Sequence, residues 1–218
     1  MRTLYRAKFK GIGDARDDKL RGKTVTVAGL GGVGSIVTSI LAREDFNLRI
    51  IDKGRVEEMD MNRMGLYQEQ DLTKFKAKQA KQRVEDINPK ARLKSFHEEL
   101  SSQNVFLVKA DCVIDCTNNN DTNTLIYGYC QANKVPVILA SYAGSTAEVL
   151  VATKKLPKKV FEEYLKMPTT EVEGAISPAT HAAAAIAVAE TFKILLGKGA
   201  SKRVTFDIWN GKYKERKL

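Results

Sequence analysis

The sequence predicts an α/β fold with a doubly wound, mainly parallel sheet that antiparallel strands extend toward the C-terminus. Three observations support this prediction. Short β-branched runs alternate with helical patterns up to about residue 140. A glycine-rich turn joins the first strand to the helix that follows it. Beyond Tyr142, two further strand-like runs flank an alanine-rich helix, and 43% hydrophobic residues in 218 are enough for a buried core.

The predicted elements follow one another in a regular order. Five short apolar runs predict strands of the central sheet: 24–28, 48–52, 93–96, 112–116 and 136–140. Three amphipathic patterns between and beside them predict helices: 33–43, 74–87 and 122–133. The C-terminal part adds two strands and one long helix: 146–153, 204–209 and 178–196. A Lys/Glu-rich segment at about 153–175 is a predicted crossover loop, and without repeats or linkers residues 1–218 are predicted to be a single domain.

Composition restricts the classes of partner and compartment. The net charge of +10 favours a nucleotide, nucleic acid or acidic protein as partner, although solvated helix faces and a soluble basic tail explain it equally well. Three cysteines and two histidines, without CxxC pairs, argue against a disulfide scaffold and against zinc. The sequence has neither a secretory signal nor an apolar stretch that spans a bilayer, so we expect a cytoplasmic protein without membrane contact.

The glycine-rich turn is the strongest local signal. It contains four glycines where a predicted strand passes into a predicted helix: Gly29, Gly31, Gly32 and Gly34. In a Rossmann-like unit the first glycine permits the turn, the second admits a phosphate and the last allows close packing of helix on strand. The N-terminus of the helix then presents free N–H groups to an anion. The turn therefore predicts a nucleotide site.

The residues after the second strand indicate which nucleotide binds. Asp52 stands where a ribose-binding carboxylate is found in such units, which leaves NAD and ATP equally open. Asn62, Arg63 and Lys76 follow, and cationic side chains there suit a triphosphate that must react. An NAD-dependent oxidoreductase would leave these three residues unexplained, so we predict ATP.

Several of these segments together resemble the ThiF/MoeB/HesA family, relatives of the ubiquitin-activating enzymes. They occur in the family's order and spacing: GLGGVGS at 29–35, Asp52, Met61-Asn62-Arg63, Lys76, Ile87-Asn88-Pro89 and the DCTNN run at 115–119. The resemblance covers roughly residues 20–210. It implies an ATP- and Mg²⁺-dependent adenylyltransferase that activates the C-terminal glycine carboxylate of a ubiquitin-like or sulphur-carrier protein as an acyl-adenylate, with release of pyrophosphate. It also implies a homodimer.

The resemblance assigns roles to individual residues. Gly29, Gly31, Gly32 and Gly34 would pass along the phosphates, and Asp52 would hold the ribose. Asn62, Arg63 and Lys76 would contact the triphosphate, with Arg63 and Lys76 as the catalytic cations that offset charge on the phosphoryl oxygens. An arginine from the N-terminus, Arg6 or Arg2, would reach the partner subunit's site.

The chain departs from the family pattern near the expected metal. Asn118 stands where an aspartate is usual, which keeps an oxygen ligand for Mg²⁺ and loses its charge. Asp121, three residues on, is a second candidate ligand. Asp60 stands where asparagine is more usual, and the crossover loop contains none of the cysteines that form thioesters or persulfides.

Two alternative functions remain open within the family. One is a catalytically degenerate ATP-binding scaffold, which the loss of charge at Asn118 would permit. The other is an enzyme similar to tRNA threonylcarbamoyladenosine dehydratase, with which the basic surface is compatible. The C-terminal part shows no additional RNA-binding pattern, so tRNA is the less favoured partner.

Overall fold

The computed structural model describes residues 3–167 and 173–218, and within them it contains one eight-stranded sheet. In chain order the strands are β1 Thr24–Ala28, β2 Asn47–Ile51, β3 Arg92–Phe96, β4 Cys112–Asp115, β5 Val137–Ala143, β6 Thr146–Ala152, β7 Lys202–Asp207 and β8 Lys212–Lys217. Their order across the sheet is β3-β2-β1-β4-β5-β6-β7-β8. The first five are parallel to one another, and β5 to β8 are joined antiparallel. The predicted fold class is confirmed.

Seven helices are described beside this sheet. They are α1 Leu4–Lys8, α2 Asp14–Leu20, α3 Gly32–Leu41, α4 Lys76–Ile87, α5 Asn120–Ala132, α6 Lys158–Leu165 and α7 Ser177–Leu195. Short 3₁₀ turns cover Glu58–Asp60, Glu69–Asp71 and Val105–Val108. No helix in the described part of the chain has the length and apolar character needed to cross a membrane.

Alternation along the strands creates two cores, one on each face of the sheet. Val25, Val27 and Ile114 face the core formed with α3, α4 and α7. Val113 and Leu139 face the opposite core, which α5 and α6 complete. Because successive strand residues point to opposite faces, central strands such as β4 and β5 place apolar side chains in both cores. Helices therefore cover both faces, as the doubly wound prediction requires.

The order of the strands determines where a ligand can bind. β1 lies between β2 and β4, so the chain moves outward from β1 in both directions across the sheet. In open α/β sheets such a reversal leaves a crevice at the carboxyl ends of the strands. The glycine turn follows β1, Asp52 follows β2 and Thr117 lies two residues after β4. The topology alone gathers these segments at one edge.

The described structure also contains elements that the sequence patterns did not indicate. α1 and α2 precede the first predicted strand, and α6 lies inside the predicted crossover loop. Residues 168–172 of that loop lie outside the described residues. The basic C-terminal run, interpreted as a soluble tail or a partner site, forms edge strand β8 with every residue exposed. Lysines on an edge strand discourage pairing with other chains.

Candidate nucleotide-binding site

The glycine turn is built by close backbone contacts. Gly29 adopts φ +80°, and a Cβ there would lie 2.7 Å from the carbonyl oxygen of Cys116. A Cβ on Gly34 would lie 1.8 Å from the carbonyl oxygen of Gly29. A Cβ on Gly32 would meet the Tyr142 hydroxyl at 2.6 Å, whereas one on Gly31 would meet no atom of the structure within 4 Å. Backbone contacts require glycine at positions 29 and 34, whereas Gly32 lies against the end of a side chain and Gly31 borders open space.

Asp52 ties the end of β2 to this turn. Its Oδ2 accepts a hydrogen bond of 2.6 Å from the N–H of Leu30, and its Oδ1 accepts one of 2.6 Å from the N–H of Gly54. Each carboxylate oxygen keeps a second lone pair for a further donor such as a ribose hydroxyl. The carboxylate therefore shapes the glycine turn in addition to lining the adjoining cavity.

Two cavities open at the carboxyl ends of the parallel strands. The first has a volume of about 420 Å³ and is bordered by Gly29, Asp52 and Leu125. The second has a volume of about 840 Å³ and contains the charged groups discussed next. Three residues line both cavities: Thr117, Asn119 and Asp121. The two spaces are neighbours, one beside the carboxylate of Asp52 and the other beside the cations.

Arg63 and Lys76 meet in the second cavity on either side of one carboxylate. Arg63 Nη2 lies 2.5 Å from Asp60 Oδ1, and Lys76 Nζ lies 3.2 Å from Asp60 Oδ2. The Nε of Arg63 also donates to the hydroxyl of Tyr142 at 3.0 Å, and its Nη1 donates to the carbonyl of Met59 at 2.6 Å. The side chains of Asp60, Arg63 and Lys76 are no more than 16% exposed, which strengthens their mutual attraction.

The remaining predicted residues are placed as follows. Asn118 borders the second cavity at a φ of +50°, which asparagine tolerates better than most residues. Asp121 lies in the first turn of α5. Asn62 is exposed and does not line either cavity, and its Oδ1 lies 3.4 Å from Arg63 Nη1.

The oxygen atoms of Asn118 and its neighbours suit a metal ion that arrives bound to a nucleotide. Asn118 and Asp121 offer an amide oxygen and a carboxylate to the same cavity, while the amide oxygen of Asn119 is occupied in capping α5 through the N–H of Thr122. Within 3–167 and 173–218 no group of three His, Cys, Asp or Glu side chains is arranged to hold a metal ion. Mg²⁺ commonly takes one or two carboxylates and leaves its other positions to water and phosphate. The residues present fit that pattern.

A buried polar network, which no sequence motif indicated, supports the floor of the site. Asp115, at the end of β4, accepts hydrogen bonds from the hydroxyl of Thr117 at 2.7 Å and from Nδ2 of Asn123 at 2.8 Å. Burial raises the pKa of Asp115, and these donors partly offset the shift. The only sequence signal was the polar run that follows an apolar strand. The network orders the loop that both cavities share.

Two tyrosines complete the wall of the second cavity. Tyr142, near the end of β5, contacts Arg63, and Tyr164 of α6 is 5% exposed. Burial raises the pKa of Tyr164 well above its ordinary value, so this phenol stays neutral. α6 therefore brings part of the predicted crossover loop to the cavity.

The cysteines pack in the core, as predicted. Cys112, Cys116 and Cys130 are buried and unpaired. Burial raises the pKa of Cys112 and of Cys130 to about 12, and it raises that of Cys116 well above the ordinary value. A thiol that stays protonated is a poor nucleophile.

Arg6 does not extend away from its own chain. It forms ion pairs with Asp17, at 2.6 Å, and with Glu44, and its side chain is 9% exposed. These contacts fix its guanidinium between α2 and the residues after α3. The interpretation of Arg6 as an arginine that reaches a partner's site is therefore not supported by its position, and Arg2 lies outside the described residues.

The doubly wound sheet, with a glycine turn and two cations at the strand ends, defines a Rossmann-like α/β protein. The chain belongs to the ThiF family, whose family model matches residues 5–218. This agrees with the resemblance identified from the sequence motifs.

Curated relatives support the same family, and solved structures support the fold. Escherichia coli sulfur carrier protein ThiS adenylyltransferase is 29% identical over 62% of this chain and 55% of its own length. Haemophilus influenzae molybdopterin-synthase adenylyltransferase is 25% identical over 88% of this chain and 82% of its own length. A crystal structure of E. coli MccB with MccA matches at a TM-score of 0.78 and 19% identity, covering 93% of this chain and 65% of MccB, which supports the fold. The chain spans about half the length of several curated relatives that it matches.

Proposed function

We propose that this chain is an ATP-dependent adenylyltransferase that activates the C-terminal carboxylate of a sulphur-carrier or ubiquitin-like protein. The observation that carries the proposal is the pair of adjoining cavities, one beside Asp52 and one beside Arg63 and Lys76, on the framework of a ThiF-family chain. Relatives named as adenylyltransferases for ThiS and for molybdopterin synthase support it. The first cavity would take the adenosine and the second the phosphates and the carboxylate.

The proposed reaction is an in-line displacement at the α-phosphorus. A carboxylate oxygen of the carrier forms a bond to that phosphorus while the bond to the β-phosphate oxygen breaks, and pyrophosphate leaves with the electron pair. Negative charge grows on the phosphoryl oxygens during this step, and the ammonium of Lys76 and the guanidinium of Arg63 offset it. The Asp115 network holds the loop that borders both cavities.

We propose that Mg²⁺ accompanies ATP. Asn118 and Asp121 would hold it, because both line the cavity that contains the two cations and both carry oxygen donors. The metal would neutralise part of the triphosphate charge. We do not propose zinc, since the three cysteines are buried in the core and no CxxC pair is present in the sequence.

We also propose that the chain is a single domain, forms a homodimer and is located in the cytoplasm. Residues 1–218 would act as one adenylation domain, since one sheet connects the glycine turn with β8. The exposed side of α7, with His181, Ala185 and Ala189, would suit close packing in a homodimer. The three unpaired cysteines are compatible with the cytoplasm. Light scattering on the purified protein measures the dimer directly.

The experiment that tests the function is carrier-dependent exchange of labelled pyrophosphate into ATP. Purified protein is mixed with candidate carriers, and tRNA serves as the alternative acceptor. Lys76→Ala should lower the exchange rate by about 100-fold or more, because it removes the positive charge that offsets negative charge on the reacting phosphates. Lys78→Ala, an exposed lysine on the same helix α4, is the matched control and should keep the activity. Exchange that is equal in both variants would contradict the proposal.

A catalytically degenerate scaffold is the second candidate, and one observation favours it. The cavity places an amide, Asn118, rather than a second carboxylate beside Asp121, which reduces the charge available for a metal. Such a scaffold would bind ATP without exchanging pyrophosphate, whatever carrier is added. The same exchange assay, combined with calorimetric titration of ATP, separates the two candidates.

A further inference from the structure

Asp60 lies between the two cations of the second cavity. Its two carboxylate oxygens contact different cations, Oδ1 the Nη2 of Arg63 and Oδ2 the Nζ of Lys76. All three side chains line the same cavity of about 840 Å³. The Asp60 side chain is only 12% exposed, so water screens these contacts weakly. One internal anion therefore bridges two cations at the candidate reaction centre.

The donors of Arg63 are largely used within the protein. Nε donates to the Tyr142 hydroxyl, Nη1 to the carbonyl of Met59, and Nη2 to Asp60. Of these acceptors, Asp60 is the only one with a full negative charge. A phosphate that approaches Arg63 and Lys76 must therefore replace this carboxylate or remain close to it, and two anions at one pair of cations repel each other.

We propose that Asp60 is an internal counter-anion that competes with substrate phosphates for Arg63 and Lys76, and so limits the affinity of the site for polyphosphate. In the empty site the carboxylate neutralises one of the two positive charges and keeps both cations in position. When nucleotide binds, its phosphates take over these contacts. When pyrophosphate leaves, Asp60 recaptures the cations, which favours release of the product. This inference rests on the proposed function, because it assigns the phosphates to the second cavity.

The charge arithmetic gives the direction of the effect. Arg63 and Lys76 carry two positive charges and Asp60 removes one of them, so the trio keeps a net charge of one. Asp60→Asn replaces the carboxylate by a neutral group of the same shape. Both positive charges, of Arg63 and Lys76, are then available to attract a phosphate ligand. The amide oxygen can still accept from Arg63, so this cation stays in place. A purely structural aspartate would show a loss of affinity on replacement, whereas a competing one shows a gain.

The test is calorimetric titration with three ligands in the presence of a chelator: inorganic pyrophosphate, ATP and adenosine. Asp60→Asn should bind pyrophosphate and ATP at least about tenfold more tightly than the unmodified protein. Adenosine, which carries no phosphate, should bind equally to both. Glu57→Gln is the matched control, because Glu57 is exposed and lines the same cavity. It should change each affinity by less than about threefold.

Two readouts protect the test against trivial outcomes. Asp60→Ser is a second neutral variant, and it should show the same selective gain if Asp60→Asn does not fold. Salt titration should weaken pyrophosphate binding more steeply in Asp60→Asn than in the unmodified protein, since a larger net charge is screened. Equal or weaker pyrophosphate binding by both folded variants would overturn the inference.

The outcomes also separate this inference from the proposed function. Carrier-dependent exchange together with unchanged affinities in the Asp60 variants would overturn the inference alone. A selective gain for polyphosphate without exchange by any variant would support the inference and contradict the adenylyltransferase. If neither the unmodified protein nor the variants bind pyrophosphate or ATP, both are wrong.

Discussion

Asp52 accepts a hydrogen bond of 2.6 Å from the N–H of Leu30, a residue in the middle of the glycine turn. The same carboxylate accepts a second bond of 2.6 Å from Gly54. A side chain that sequence reasoning assigned to a ribose therefore also holds the turn on which the phosphates would lie. Binding and local structure depend on one carboxylate.

Replacing Asp52 by alanine should reduce stability and nucleotide affinity together. Two amide donors lose a charged acceptor, and each such hydrogen bond contributes about 1.5–3 kcal/mol. Since the site is partly open to water, we expect a net loss of about 2 kcal/mol in the free energy of unfolding. ATP affinity should fall by about tenfold or more. Urea unfolding and calorimetry measure the two effects, and an unchanged ATP affinity would contradict the placement of adenosine beside Asp52.

Gly34 and Gly31 provide a pair of variants that separates packing from binding. The Cβ of Gly34→Ala would lie 1.8 Å from the Gly29 carbonyl oxygen, so the helix must move away from the turn. We expect a loss of about 3 kcal/mol or more in unfolding free energy. The Cβ of Gly31→Ala meets no atom of a non-neighbouring residue within 4 Å, and φ is negative at this position. The free energy of unfolding of Gly31→Ala should therefore fall by about 1 kcal/mol or less.

The ATP affinity of Gly31→Ala tests where the phosphates lie. Gly31→Ala places its methyl group in the space above the turn, where the proposed nucleotide would approach the backbone. ATP affinity should therefore fall by about tenfold or more although the protein stays folded. Thermal unfolding and ATP titration on the same sample give both quantities. Normal ATP binding by Gly31→Ala would mean that the phosphates do not pass along this turn.

Asn123→Ala should show a pH-dependent loss of stability. Asn123 donates to Asp115, whose pKa burial raises above the ordinary value of 3.8. The folded protein therefore holds this proton more tightly than the unfolded chain, and ionisation of Asp115 reduces stability as the pH rises above 3.8. Above the folded pKa, where Asp115 is ionised, losing the amide donor should cost about 1.5–3 kcal/mol.

At acidic pH the same substitution should cost less. Protonated Asp115 is a neutral partner, and a hydrogen bond between neutral groups contributes about 0.5–1.5 kcal/mol. The difference in unfolding free energy between Asn123→Ala and the unmodified protein should therefore shrink as the pH falls toward 4. Urea unfolding between pH 4 and 8 measures it, with Asn133→Ala, in which an exposed amide that donates to Tyr129 is lost, as the control. A difference that is constant across this range would show that Asp115 does not change its charge there.

Sequence patterns predicted β1, β4 and β5 well because these strands are almost fully buried and form β-branched or apolar runs. β8 could not be predicted in this way, since all its side chains are exposed and its lysines show no apolar alternation. α6 was hidden in a charged segment, although the spacing of Val160 and Tyr164, both buried, fits one face of a helix. A helix or strand shows an apolar sequence pattern only where one of its faces is buried.

The candidate site could be predicted residue by residue, but its connections could not. The motifs identified Arg63 and Lys76, 13 positions apart, as cations for a phosphate group. Asp60 and Arg63 are only three residues apart, so their contact is local. That Lys76 also contacts Asp60, and that Tyr142 contacts Arg63 from a strand 79 residues away, depends on how the fold brings these segments together. The sequence singled out Asp60 as a departure from the family pattern, and the structure adds that it bridges both cations.

Asn118→Asp should strengthen the dependence of nucleotide binding on Mg²⁺. The backbone at this position has φ +50°, which aspartate tolerates as well as asparagine does, so the change adds charge without strain. A second carboxylate beside Asp121 should lower the Mg²⁺ concentration that gives half-maximal ATP binding by about tenfold. Asn119→Asp is the control, because it adds the same charge to the same cavity while aspartate still caps α5.

The comparison of these two variants decides whether Asn118 is a metal ligand. If only Asn118→Asp shifts the Mg²⁺ requirement, and pyrophosphate exchange rises with it, Asn118 is a metal ligand that limits the rate. A shift without any gain in exchange would place Asn118 near the metal and make another step rate-limiting. Equal shifts in both variants would show a general effect of charge in the cavity and would contradict the assignment of Asn118 as a metal ligand.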